Sequence, residues 1–129
     1  MSLCGGVDFG LLVGVLRHFS LVCAPYREVE LEVGLECFLR VHGFGVERQV
    51  VCGCDRFDLV VGTVIIEVKL NAQKNIVEQL DRYSAANCTG LIVVCWRASQ
   101  PLKRIFAKAK TSAEIPVELI EIIRNCEVV

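Results

Sequence analysis

The sequence predicts one α/β domain in which a central mixed sheet is flanked by helices. Segments with helical periodicity alternate with short apolar runs, in the order helix, three strands, helix, strand, helix, strand. The 129 residues suit a single domain spanning 1–129. Hydrophobic residues make up 53% of the chain and charged residues 22%, which is ample for one core. We therefore expect a globular protein.

Two helices are expected before the first strand. Residues 7–22 are largely apolar, although Gly10 and Gly14 weaken helix formation there. A second helix should follow Pro25 and end at Gly43, where helices commonly close on a glycine. Its apolar stripe consists of Leu31, Leu35, Phe38 and Leu39.

Three strands are expected next, at 46–51, 57–61 and 64–70. Only Gly62 and Thr63 separate the last two strands. A two-residue loop that begins with glycine is typical of a hairpin with a type II′ turn. This turn sets the register, so the cross-strand neighbours follow from the sequence.

The second half of the chain alternates helix and strand. We expect an amphipathic helix at 74–86, a strand buried on both faces at 90–95, and a last strand at 117–123. Ser99 is placed to cap a further helix that has Pro101 in its first turn. The residues of that helix expected to face the core are Leu102, Ile105, Phe106 and Ala109.

The hairpin register places two carboxylates opposite each other. Asp58 should lie across from Glu67, with Cβ atoms about 4.5–5.5 Å apart, where like charges are destabilising. Strand alternation puts Lys69 on the same face as Glu67. A divalent cation, completed by waters and a substrate phosphate, is the usual reason for two acids and a lysine to converge. The sequence therefore predicts a metal site.

An ion-pair ladder on an exposed sheet face is the structural alternative. In that arrangement Arg56 would lie opposite Lys69, and the two cations would neutralise both acids. However, Val60 and Ile65 are expected on the same face, which indicates partial cover. Half-buried acids beside apolar groups are the ones most often used in chemistry.

The segment DRFDLVVGTVIIEVKL resembles the core motif of the PD-(D/E)XK nuclease superfamily, whose fold is restriction-endonuclease-like. In that motif an Asp precedes a hairpin that ends in Glu-x-Lys, and Asp58, Glu67 and Lys69 match these positions. Phe57 stands where the family normally has proline. The resemblance implies endo- or exonucleolytic hydrolysis of DNA phosphodiester bonds. It also implies that Mg²⁺ or Mn²⁺ is held by the two acids and the backbone carbonyl of Val68.

The resemblance extends into the preceding helix. In Holliday junction resolvases and related archaeal nucleases, a Glu of the first helix joins the site about one helix length before a Gly-Phe pair. Here Glu32 is the best match, binding the metal directly or through water, and Glu28 is the alternative. Glu36 is assigned instead to a surface pair with Arg40, four residues further on.

The segment QLDRY also resembles a family motif, the Gln-x-x-x-Tyr motif of RecB-like nucleases and their CRISPR-associated relatives. The helix that carries it in those proteins lies beside the active site. Gln79 and Tyr83 are therefore candidate catalytic residues. A surface glutamine beside a core tyrosine is the structural alternative.

The cations are concentrated in one part of the chain. A net charge of −1 and a pI near 6.1 argue against a protein that coats nucleic acid. Between residues 82 and 113, however, there are several cations and no acid. An ordinary soluble helix surface would explain them, whereas phosphate contacts would position a DNA duplex. The candidates for such contacts are Arg82, Lys103, Arg104 and Lys108, with Lys110 nearby.

The sequence indicates an intracellular protein. The apolar stretch at 9–16 is far shorter than the roughly 20 residues that span a bilayer, and no positive charge precedes it as in a signal peptide. We expect the eight cysteines to be mainly buried thiols, because a disulfide scaffold is usually poor in core residues.

Two alternatives to an independent nuclease remain. One is a catalytically silent subunit that binds nucleic acid with the same fold, which should have lost an acid or the lysine. The other is a nuclease module that acts only with a separate helicase or specificity subunit. The resolvase resemblance and the apolar composition also predict a homodimer.

Overall fold

The computed structural model describes residues 7–73, 88–112 and 114–124. Its helices are α1 (Phe9–Leu16), α2 (Glu28–Val41) and α3 (Gln100–Ser112). Its strands are β1 (Ser20–Leu21), β2 (Glu47–Cys52), β3 (Asp55–Val61), β4 (Val64–Ala72), β5 (Gly90–Ala98), β6 (Val117–Glu121) and β7 (Ile123–Arg124). The helix predicted at 74–86 lies outside the described residues.

A five-stranded mixed sheet in the order β2-β3-β4-β5-β6 forms the centre of the protein. Strands β2, β3 and β4 pair antiparallel, whereas β4, β5 and β6 pair parallel. Parallel neighbours need a crossover connection, and α3 provides it between β5 and β6. The predicted α/β class, with a mixed sheet flanked by helices, is confirmed.

Each face of the sheet has its own apolar core. On the first face α1 and α2 pack against alternate residues of the sheet, including Ile66, Val68 and Ile92. On the second face α3 packs through Leu102 and Phe106. Strand β5 is covered on both sides, as its continuous apolar sequence predicts. Burying one such side chain stabilises the fold by about 1.5–3 kcal/mol, so the centre of the sheet is its most strongly held part.

The tight turn and the helix ends agree with the sequence pattern. Gly62 has a φ of +62°, and the hairpin pairs Val61 with Val64 and Leu59 with Ile66, as predicted. Gly43 follows α2 with a φ of +92°. Ser99 Oγ accepts the N–H of Leu102 at 3.3 Å and caps α3. Only part of the predicted inner face of α3 is deeply buried, since Ile105 and Ala109 are half-buried.

The prediction of one helix over 7–22 is wrong in its second half. Helix α1 ends at Leu16, and Ser20–Leu21 forms a two-residue strand parallel to Ile123–Arg124. The predicted last strand therefore divides in two, with β6 ending at Glu121. This pairing joins segments about a hundred residues apart, so local periodicity carries no sign of it.

The thiols are also less buried than expected. All six described cysteines are free, and four of them are exposed, namely Cys23, Cys37, Cys52 and Cys54. Cys95 is buried in β5 and Cys88 is buried just before that strand, and burial raises the pKa of the Cys95 thiol to about 12. Cys23 and Cys54 lie in loops, Cys52 ends β2, and Cys37 is on the outer side of α2.

The contact between α1 and β5 yields a test of this architecture. A Cβ added to Gly90 would lie 2.4 Å from Cδ1 of Phe9 on α1, so the Phe9 ring or the backbone at Gly90 would have to move. We expect Gly90→Ala to lower the free energy of unfolding by about 1–3 kcal/mol, measured by chemical denaturation. Adding Phe9→Leu should recover part of this loss.

Gly14→Ala is the matched control, because nothing lies within 4 Å of its added Cβ. Alanine is the better helix former, so this change should stabilise the protein by about 0.5–1 kcal/mol. A neutral Gly90→Ala would contradict the described packing of α1 against β5.

Candidate metal centre

Backbone pairing in the described sheet skips Asp58 on both sides. Towards β4, the paired residues end at Leu59 and Ile66. Towards β2, Leu59 pairs with Arg48 and Phe57 pairs with Val50, but the intervening residue Gln49 has a φ of +55°. The sheet therefore opens around Asp58. We call the opening between β3 and β4, bounded by Asp58, Glu67 and Val68, the fork.

Carboxylates replace the missing backbone acceptors at the fork. The Val68 N–H donates to Asp58 Oδ2 at 2.9 Å, and the Asp58 N–H donates to Glu67 Oε2 at 3.3 Å. Further along β4, the Leu70 N–H donates to Glu28 Oε2 at 3.2 Å. Backbone N–H groups that lose their strand partner need another acceptor, and side-chain carboxylates supply it.

The predicted acids and lysine surround Asp58 electrostatically. Burial raises the pKa of the Asp58 carboxyl, and the Val68 N–H opposes this by stabilising the charged form. The negative charges of Glu32 and Glu28 raise the same pKa, whereas the positive charge of Lys69 lowers it. The fork thus brings together residues from β3, β4 and α2 that the sequence singled out separately.

Glu32 and Glu67 are buried carboxyl side chains, with 5% and 3% of their surfaces exposed. Such groups are costly unless they are partnered. Glu32 Oε1 accepts from Arg48 Nε at 3.1 Å and from Gln49 Nε2 at 2.7 Å. The alternative acid, Glu28, is exposed, but it reaches β4 through Leu70. Both helix acids therefore border the fork.

Glu36 belongs to the surface pair predicted for it. Its Oε2 accepts from Arg40 Nε at 3.0 Å, and Arg48 Nε lies 3.7 Å from its Oε1. The nearest contacts of Glu36 are thus cations rather than strand N–H groups. This separates it from Glu28, two turns earlier, which accepts the Leu70 N–H.

The two residues that follow Glu67 fit a site on this edge of β4. The N–H and C=O of one strand residue point to the same side, so the Val68 carbonyl is directed towards the fork with its N–H. The Val68 side chain is fully buried in the first core. Ile65 contributes to the second core, and a period of two places Glu67 and Lys69 on that side of β4.

The expected ladder partner of Lys69 is directed elsewhere. Arg56 pairs across β2 with Val51, and its Nη1 donates to Gln49 Oε1 at 3.1 Å. The ladder with Arg56 opposite Lys69 is therefore not formed. The alternation argument fails here because the pairing of β3 with β4 ends at Leu59 and Ile66, before Arg56 and Lys69 are reached.

Two of the α3 cations form ion pairs with acids of β6. Lys103 Nζ lies 3.1 Å from Glu121 Oε1, and Lys110 Nζ lies 3.2 Å from Glu118 Oε2. Arg104 and Lys108 are exposed on the outer side of the helix. Two β6 acids thus neutralise part of the surface that looked uniformly basic in sequence. The other candidates, Arg82, Gln79 and Tyr83, lie outside the described residues.

The donor set of the fork fits a hard divalent cation in its chemistry. Carboxylate and carbonyl oxygens are the ligands that Mg²⁺ and Mn²⁺ prefer. Asp58 Oδ1 accepts no hydrogen bond from the described residues. As these side chains stand, no three His, Cys, Asp or Glu groups within residues 7–73, 88–112 and 114–124 are gathered closely enough to enclose a metal. Binding would require carboxylate rotation.

A surface cavity of about 390 Å³ lies at the opposite end of the hairpin from the fork. Its lining comes from the end of α2, from the loop before β2 and the start of β2, and from the hairpin of β3 and β4. The lining residues are Arg40, Gly45, Val46, Glu47, Val60 and Gly62. The convergence of acids at the fork, rather than the size of a cavity, therefore identifies the candidate site.

No protein-family model, no curated protein and no solved structure matches this chain. No helix among the described residues is long and apolar enough to cross a membrane. The candidate site is consequently argued from the residues of this chain alone.

The raised pKa of Asp58 predicts a pH-dependent gain in stability for Asp58→Asn in excess chelator. The folded protein binds this proton more tightly than the unfolded chain, so ionisation of Asp58 favours unfolding. The penalty is absent below pH 3.8, the ordinary value, and develops as the pH rises through the higher folded pKa. Asparagine can still accept from Val68. Near neutral pH the variant should therefore melt at a higher temperature than the wild type.

Thermal melts across pH, with and without Mn²⁺, measure this effect. The gain should vanish as the pH falls below 3.8, and the stabilisation by Mn²⁺ should shrink. Asp8→Asn is the control, because an Asn N-cap replaces an Asp N-cap with little loss. A lower metal-free melting temperature for Asp58→Asn, with an unchanged Mn²⁺ response, would support structural ion pairing instead.

Proposed function

We propose that this protein is a metal-dependent nuclease that hydrolyses DNA phosphodiester bonds at the fork, within a restriction-endonuclease-like core. One observation carries the proposal: Asp58, Glu67, Lys69 and the α2 acids border a single opening in the sheet. The strand N–H groups at the fork require acceptors, but those acceptors need not be charged. A divalent cation would relieve their mutual repulsion, which makes metal binding the simplest reason for the arrangement.

Each residue has a proposed role at the fork. Asp58, Glu67 and the Val68 carbonyl would hold Mg²⁺ or Mn²⁺, with Glu32 directly or through water. The bound cation would supply Lewis-acid polarisation of the phosphate. Lys69 would orient the attacking water and stabilise negative charge on the phosphate. Since carboxylates bind metal when ionised, the affinity should rise as Asp58 loses its proton.

The outer side of α3 is the proposed phosphate-contacting surface. Arg104 and Lys108 are exposed there, and α3 covers the side of β4 to which Glu67 and Lys69 belong. Contacts of this kind would position a duplex without reading its bases. A homodimer, and a helicase or specificity subunit, are the proposed protein partners, and an intracellular location is proposed with them.

The second candidate function is a catalytically silent nucleic-acid-binding subunit with the same site. The favouring observation is that Arg48 and Gln49 both donate to Glu32 Oε1. An arginine partner already offsets the charge that a metal would otherwise compensate. The two candidates differ in turnover, so an activity assay separates them.

Cleavage should require added divalent metal and the residues of the fork. Supercoiled, linear, single-stranded and branched DNA are incubated with Mg²⁺ or Mn²⁺, and products are resolved on gels. Glu67→Ala and Lys69→Ala should each lower the rate by about 100-fold or more, because several kcal/mol of charge stabilisation are removed. Glu32→Ala should cause a partial loss.

Glu36→Ala is the matched control on the same helix, and it should cleave like the wild type. Equal losses in the Glu32 and Glu36 variants would show that the wrong side of α2 was chosen. Activity that persists in excess chelator would contradict the metal mechanism. Folded protein that binds DNA without cleaving any substrate would favour the silent subunit.

Substituting Lys103, Arg104 and Lys108 together by Ala should weaken DNA binding and flatten its salt dependence. Each lost phosphate contact removes about 0.9 from the slope of log K against log salt, measured by fluorescence anisotropy. The contribution of Lys103 should be small because Glu121 already pairs with it. Lys110→Ala, whose partner is Glu118, is the control with a small expected effect. An unchanged slope in the triple variant would show that α3 makes no phosphate contacts and is an ordinary solvated surface.

A further inference from the structure

Gln49 adopts a backbone conformation that glutamine rarely takes. Its φ of +55° is the only positive value among the described residues that are not glycine. A side chain with a Cβ is strained in this region, and it persists there only where the surroundings require it. The strain lies inside β2, between two pairs that remain regular, Arg48 with Leu59 and Val50 with Phe57.

The consequence of this conformation is that two consecutive residues reach one carboxylate. In a regular strand neighbouring side chains point to opposite faces of the sheet. Here Arg48 Nε and Gln49 Nε2 both donate to Glu32 Oε1, at 3.1 and 2.7 Å. The positive φ of Gln49 breaks the alternation locally and brings the second donor to the α2 side.

The amide of Gln49 can be oriented in only one way between its partners. Arg56 can only donate, so the Gln49 oxygen must face its Nη1 at 3.1 Å. The Gln49 nitrogen then faces Glu32 and donates to its Oε1. The side chain is thus held at both ends. Gln49 adds a short hydrogen bond to Glu32 without adding a second positive charge.

We propose that Gln49 is a positioning residue, which holds Glu32 at the fork so that its other oxygen is available to a divalent cation or its water. The inference rests on the proposed function. Both donors take Oε1, and Glu32 Oε2 receives no hydrogen bond from the described residues. Glu32 is 5% exposed, so these contacts rather than solvent determine its orientation. Partners behind a metal ligand commonly change metal affinity by 10–100-fold.

Gln49→Gly is the decisive variant, because it removes the amide and relieves the backbone strain together. Mn²⁺ affinity is measured by isothermal titration, beside melting temperatures in chelator. The variant should fold with a melting temperature equal to or above that of the wild type, and its Mn²⁺ affinity should fall by about tenfold. Gln49→Asn keeps a shorter amide and tolerates a positive φ, so its Mn²⁺ affinity should lie between those of Gln49→Gly and the wild type.

A double-mutant cycle with Glu32→Gln distinguishes positioning from a general effect. If Gln49 acts through Glu32, Gln49→Gly should change Mn²⁺ affinity less than twofold in the Glu32→Gln background. The same tenfold loss in both backgrounds would overturn the proposal, as would equal Mn²⁺ affinity in Gln49→Gly and wild type. Wild-type protein that binds no Mn²⁺ would overturn the proposed function itself, and the metal-directed role of Gln49 with it.

Discussion

The structure depends on a reciprocal exchange between strand N–H groups and carboxylates at the fork. Where β3 leaves β4, the N–H groups of Val68 and Leu70 lose the partners that a ladder would provide, and Asp58 and Glu28 accept from them instead. Where the opening is partly buried, unpaired N–H groups and unpaired charges would both be costly, so each set of groups stabilises the other. The opening of the sheet thus provides N–H donors for the acids, and the acids provide acceptors for the N–H groups that the opening leaves without strand partners.

The rest of the fold holds this opening in place. Parallel pairing of β4 and β5 continues past the fork, from Val64 with Gly90 to Ala72 with Ala98, so β4 keeps a rigid partner on its other edge. Helix α2 is held on the first core, which places its acids beside the gap. Glu118 on β6 forms ion pairs with Arg17 and Lys110. These pairs connect the segment after α1 with α3 across the last strand of the sheet.

The negative charges at the fork are only partly offset by nearby cations and hydrogen-bond donors. Lys69 and the Val68 N–H favour the charged form of Asp58, while burial and the α2 acids oppose it, and the net result is a raised pKa. Arg48 and Gln49 offset Glu32 from the β2 side. Under the proposed function, such a site would fold without metal and would be stabilised further by a cation. This combination is what the proposed nuclease chemistry requires.

The sequence by itself determined the local parts of this protein. The Gly62 turn, the glycine after α2, the Ser99 cap and the buried β5 are all encoded by neighbouring residues, and the hairpin register then brought Asp58, Glu67 and Lys69 into one hypothesis. Only the tertiary structure decided which acids of α2 border the fork, that Glu121 engages Lys103, and that β1 pairs with β7. It also decided the strained Gln49 and its contact with Glu32. These features join segments distant in the chain, and a distant contact leaves no periodicity in the sequence, because it is selected by the packing of the whole fold rather than by local conformational preference.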